Sequence, residues 1–124
     1  MDDSLKLQGT WLIASVTFAG ADQPEEAGDY FRFHSNTLLI GGDQAMWEYQ
    51  CHLDPTSFPK TLDIASTHSE SDYLQMAIYE LDGDALRVCY APPRSHHRPT
   101  AFVSTLANGW GILSLVRVTD DGPS

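Results

Sequence analysis

Glu80 is the residue in this chain whose type and placing most directly suggest chemistry. It follows Leu74, Met76 and Ile78 at every second position, so on a strand it shares their face. If that face turns inward, a carboxyl group enters an apolar interior, where it must keep its proton or find a cation. Arg87 stands within reach across a hairpin. The pair then either closes one end of the structure, or leaves Glu80 as a polar anchor for a ligand or an acid/base group. Glu48, Tyr49, Tyr73 and Tyr90 are the further catalytic candidates. A carboxyl and phenols on strand-like segments can steer charge while an apolar substrate is held in a reactive shape, a mode of catalysis that leaves no motif.

Aromatic residues supply the second constellation. The chain has three Trp, five Tyr and five Phe among 124 residues. Trp47, Tyr49, Phe31, Phe33, Met76 and Tyr90 are expected to line an apolar pocket, the usual wall of a small-ligand site. The same residues would equally fill a core. A third group, Arg94, His96 and Arg98, sits in the proline-interrupted segment Pro92 to Pro99 and is expected to form a loop at the pocket mouth that meets an acidic group on a ligand.

Other chemistries find no support. His96 and His97 are adjacent, so on an extended chain they point apart, and Arg94 and Arg98 would repel a cation there. Glu48 and His52 share a face but lie roughly 13 Å apart along a strand. No zinc spacing, nucleophile elbow or phosphate-gripping loop occurs, and Asp82-Gly83-Asp84 reads as a turn, because the remaining oxygens of a calcium loop are missing. Neither a metal nor a cofactor is therefore expected.

Composition narrows the class. Seven basic residues against 17 acidic ones give a net charge of −10, which repels nucleic-acid phosphates and anionic lipid. An acidic surface leaves a basic protein partner open. The start, Met1-Asp2-Asp3-Ser4, lacks the basic and apolar pattern of a signal peptide, and no apolar run approaches a membrane span. A cytoplasmic location is expected, with Cys51 and Cys89 as free thiols.

The elements that must position these residues are strands. Thr10 to Phe18, Tyr30 to His34, Asn36 to Ile40, Ala45 to Leu53, Thr61 to Ser66, Tyr73 to Leu81, Ala85 to Tyr90 and Gly111 to Val118 are rich in β-branched and aromatic residues or alternate in polarity. In Ala45 to Leu53 the face with Trp47, Tyr49, Cys51 and Leu53 is the more apolar and should point inward; in Ala85 to Tyr90 that face is Leu86, Val88 and Tyr90. Asp82-Gly83 between two alternating runs marks a hairpin. Helix signal is scarce, with one turn within residues 1–8 and room for another at Pro24-Glu25-Glu26-Ala27, and 119–124 reads as a polar tail. Eight short strands without a covering helix predict one all-β domain over 1–124: an eight-stranded antiparallel up-and-down barrel, with a sandwich as the alternative.

Leu7-Gln8-Gly9-Thr10-Trp11, at the entry to the first strand, resembles the Gly-x-Trp signature of the lipocalin superfamily. That resemblance implies structural roles for Gly9 and Trp11, with Trp11 closing the barrel floor under a basic residue of the last strand, here Arg117. More widely, Leu7 to Trp11, Asp54-Pro55 with Pro59 to Asp63, Ile78 to Cys89, and Arg98-Pro99-Thr100 with Phe102 resemble, in order, a family of uncharacterised lipocalin-like domains abundant in planctomycetes. The segment Thr67 to Asp72 departs from that family, which usually carries a Gly-containing turn there. The family implies a fold and names no catalytic residue. Three functions follow as expectations: a barrel that binds a small hydrophobic or amphipathic molecule; a cofactor-independent barrel enzyme, a cyclase or isomerase of an apolar intermediate; or an interaction, immunity or regulatory domain with a filled interior.

Overall fold

A computed structural model of the chain describes residues 6–23, 27–42, 45–66, 74–92 and 97–118. Nine strands follow one another: β1 (Gly9–Phe18), β2 (Ala21–Asp22), β3 (Tyr30–His34), β4 (Thr37–Gly41), β5 (Met46–Asp54), β6 (Lys60–Ser66), β7 (Leu74–Asp82), β8 (Ala85–Tyr90) and β9 (Gly111–Arg117). All pairings are antiparallel. From β3 to β9 each strand pairs with the next, β1 pairs with β3, and β9 returns to β1, which closes an eight-stranded barrel. The two-residue β2 is a short appendage on the end of β1. Closure satisfies the backbone groups that an open sheet would leave on two edges. Of the expected N-terminal turn, only Lys6 and Leu7 have helical backbone among the described residues.

Alternation along the strands sets the interior. Trp11, Ile13 and Val16 of β1, Phe31 and Phe33 of β3, Leu62 and Ile64 of β6, Leu86 and Val88 of β8, and Leu113 and Leu115 of β9 belong to one buried cluster. On β1 the step from Ile13 to Val16 is three residues, because a bulge at Ala14 puts two residues opposite one step of β9 and restores Val16 to the interior.

The two ends of the barrel differ. At the floor, Trp11 is fully buried, and its indole N–H donates to the Leu7 carbonyl at 3.0 Å. The Arg117 guanidinium lies 4.3 Å from the Trp11 ring centroid. It donates to the carbonyls of Lys6 and Gln8 and pairs with Asp84 at 2.9 Å, so one side chain binds the entering chain and the β7–β8 turn to the floor. Gly9, with φ +111, adopts a backbone that L side chains rarely enter as the chain turns into β1.

The described part of the connection from β8 to β9, residues 97–110, runs along the outer wall. Arg98 is held there, donating to the Ala77 carbonyl at 2.9 Å and pairing with Asp63 at 2.6 Å. Phe102 lies under the Arg87 guanidinium at 4.3 Å, and Val103 offers its carbonyl to the Cys89 thiol. Beneath this strap Ile78, Cys89 and Pro99 are buried on the outside of the barrel. Ser104 then accepts from the Gly20 N–H and donates to the Trp110 carbonyl, tying the strap to the turn after β1.

Candidate functional site

The floor half of the barrel is packed, and the mouth half is open. A pocket of about 260 Å³ lies there, walled by residues of β1, β3 to β9 and the turn before β3. Phe31, Tyr49 and Tyr90 provide its aromatic surface, Gln75 and Asp29 its polar groups, and Ile40 and Leu113 part of its apolar wall. Tyr49 reaches the pocket because β5 presents Tyr49, Cys51 and Leu53 to the interior, the face the alternation indicates. Phe31 meets Phe33 edge-on at 6.2 Å, with Phe33 one step deeper.

Tyr90 is positioned by an absence. It lies directly across from Gly111 on β9, and its ring and hydroxyl occupy the space that a Cβ at Gly111 would fill. A glycine at this point of β9 lets the phenol lie flat against the wall and so shapes the pocket.

Several expected site residues lie elsewhere. Glu80 faces outward: the interior side of β7 is Ala77, Tyr79 and Leu81. Its carboxylate pairs with Arg87 at 2.8 Å on the outer surface, where the two side chains are 56% and 45% exposed. Met76 shares that outward face, and its backbone carbonyl accepts from the Ala91 N–H. The alternation misleads here because the strap makes both faces of β7 apolar. Glu48 is exposed, across from Leu39 on the outer side of β4. Trp47 shares the face of Tyr49 but stands at the mouth end of β5 and is 67% exposed, so it belongs to the rim. Phe33 fills the core beneath the pocket. Arg98 is a wall anchor and not a mouth residue. Tyr73, Arg94 and His96 lie outside the described residues.

Asp29, Gln75 and Gly111 had no part in the sequence expectations. Gln75 carried a readable signal, since it alternates with Ala77 and Tyr79; its amide also donates to the Ala91 carbonyl at 3.1 Å. Asp29 sits in a connection with no periodicity, where only the closed barrel brings it to the pocket.

Among the described residues no group of three His, Cys, Asp or Glu side chains is placed to hold a metal ion. Cys51 packs against the interior cluster and Cys89 lies on the outer wall; both are free thiols, and burial pushes both above their ordinary pKa. Among the described residues no helix is long and apolar enough to cross a membrane.

Fold and pocket together define a small closed antiparallel barrel, half packed and half open, compatible with a lipocalin-like domain. Comparisons with protein-family models, with curated proteins and with solved structures find no match.

Proposed function

We propose that this protein is a lipocalin-like binding barrel that holds a small, mostly apolar molecule in its mouth half. The observation that carries this reading is the open pocket lined by Phe31, Tyr49 and Tyr90 above a fully packed floor. Small-ligand sites combine apolar and aromatic walls with a few polar groups, and this pocket has that make-up. Its volume of about 260 Å³ lies just under the common range of roughly 300–1,000 Å³, which favours a small ligand of at most about three rings or a short chain. Free thiols on opposite sides of the barrel wall fit a reducing compartment, and the cytoplasm is its proposed location.

A neutral lipophilic dye, N-phenyl-1-naphthylamine, tests the reading. It should bind one molecule per chain with enhanced fluorescence, and Ile40→Trp, which fills the pocket from its wall, should abolish the signal in a protein that still melts cooperatively. Absence of dye binding to the unaltered chain, or unchanged binding in Ile40→Trp, would overturn the reading.

A further inference from the structure

The charge around the pocket narrows the ligand class beyond what the apolar lining does, a step that rests on the protein being a binding barrel. Among the described residues Asp29 is the charged residue in the pocket wall, and no Lys, Arg or His lines it. Its carboxylate sits against Gly42, between the entry to β3 and the end of β4, and is exposed, so it lies at the rim and not among the buried rings. Of the basic residues that the sequence suggested for the mouth, Arg94, His96 and Arg98, Arg98 is engaged with Asp63 on the outer wall, and the other two lie outside the described residues. Phe31, Tyr49 and Tyr90 line the pocket with aromatic rings and bring no positive charge to it.

We infer that the pocket selects an organic cation: an amine carried on an apolar, single-ring body. The ring would enter among Phe31, Tyr49 and Tyr90, while the ammonium stays at the rim beside Asp29. This division suits both parts. A buried ammonium would lose its hydration, whereas one at the rim keeps water and gains the carboxylate. The net charge of −10 adds a field that draws cations and repels anions. A carboxylate-headed ligand, such as a short fatty acid, would meet Asp29 with like charge.

Three compounds with one skeleton test this: 2-phenylethylamine, 2-phenylethanol and phenylacetate, each displacing N-phenyl-1-naphthylamine from the full chain. The amine should displace the dye at a concentration about two- to fivefold lower than the alcohol, with the carboxylate weakest. In Asp29→Asn, which preserves shape, the amine's advantage should collapse while the alcohol is unchanged. Added salt should weaken the amine alone. Dye binding with the carboxylate equal to or stronger than the amine overturns the cation inference and leaves the binding barrel standing. An amine preference that persists in Asp29→Asn also overturns it, because the overall field would then be its source. Absence of dye binding removes both readings.

Discussion

Arg117 holds its guanidinium 4.3 Å from the centroid of the Trp11 ring, and the two residues face each other across the β1–β9 seam that closes the barrel. The contact therefore does two things. It covers the buried indole at the floor, and it fastens the last strand to the first. Trp11→Ala should cost on the order of 3–5 kcal/mol, since it empties the largest buried side chain. Arg117→Ala should cost less, about 1–3 kcal/mol, through the lost stacking and the carbonyls of Lys6 and Gln8 left without their donor. Arg117→Lys should recover only part of this, because an ammonium cannot stack and fork at once. Urea denaturation of the three variants gives the order, and a normal midpoint for Trp11→Ala would sink the assignment of the floor.

Gly111→Ala should disturb both binding and stability. The added methyl group collides with the Tyr90 ring, which must swing into the pocket or out of the mouth. We expect dye affinity to fall at least about tenfold, at a stability cost of about 1–3 kcal/mol. Gly111→Ala combined with Tyr90→Ala should regain stability, as the collision is removed. Persistent loss of stability in the double variant would place the strain elsewhere.

Glu80 and Arg87 form a surface pair outside the barrel, with both side chains about half exposed. Glu80→Gln should therefore change stability by less than about 1 kcal/mol and leave dye binding untouched. Tyr49→Phe, which removes one hydroxyl from the pocket wall, should alter dye binding in a folded protein. A Glu80→Gln variant that folds but no longer binds would return the carboxyl to the site.

Arg98→Ala should be costlier than its position in a connecting segment suggests. It removes the cation from Asp63, whose Oδ1 is shielded from solvent, and frees the strap from the wall; a loss of about 1–3 kcal/mol is expected. Asp63→Ala together with Arg98→Ala should cost less than the sum of the single changes, which a double-mutant cycle measures directly. Strict additivity would mean the pair does not couple.

Asp54 gives the chain a definable acid response. The Thr56 hydroxyl and backbone N–H both donate to its carboxylate, at 2.5 and 3.0 Å, and hold its pKa below the ordinary value of 3.8. Because the folded-state pKa is depressed, the stabilisation is present above pH 3.8 and is lost as the pH falls through the lower folded value. Asp54→Ala should melt below the unaltered protein at pH 7, and the gap should close in acid. A gap independent of pH would show that the charged carboxylate is not its cause.

The local pattern determined most of the barrel. Alternation, β-branched residues and the Asp82-Gly83 turn mark eight strands, and the interior faces of β5 and β8 follow from their apolar sides, because a strand has only two faces and one must be dry. The floor, Trp11 under Arg117, is implied by the resemblance of Leu7 to Trp11 to the Gly-x-Trp signature. Long-range packing settled the rest, which involves residues distant in sequence. The bulge at Ala14 exists because β1 must match β9. The direction of Glu80 and Met76 depends on a strap, residues 97–110, that covers the outer wall and buries Ile78 and Cys89, so that apolar character no longer distinguishes inside from outside. Asp29 reaches the pocket because the barrel closes, and the pairing of β8 with β9 brings Gly111 opposite Tyr90; no local rule announces either. Periodicity reports which side of a strand is dry; it does not report what keeps it dry.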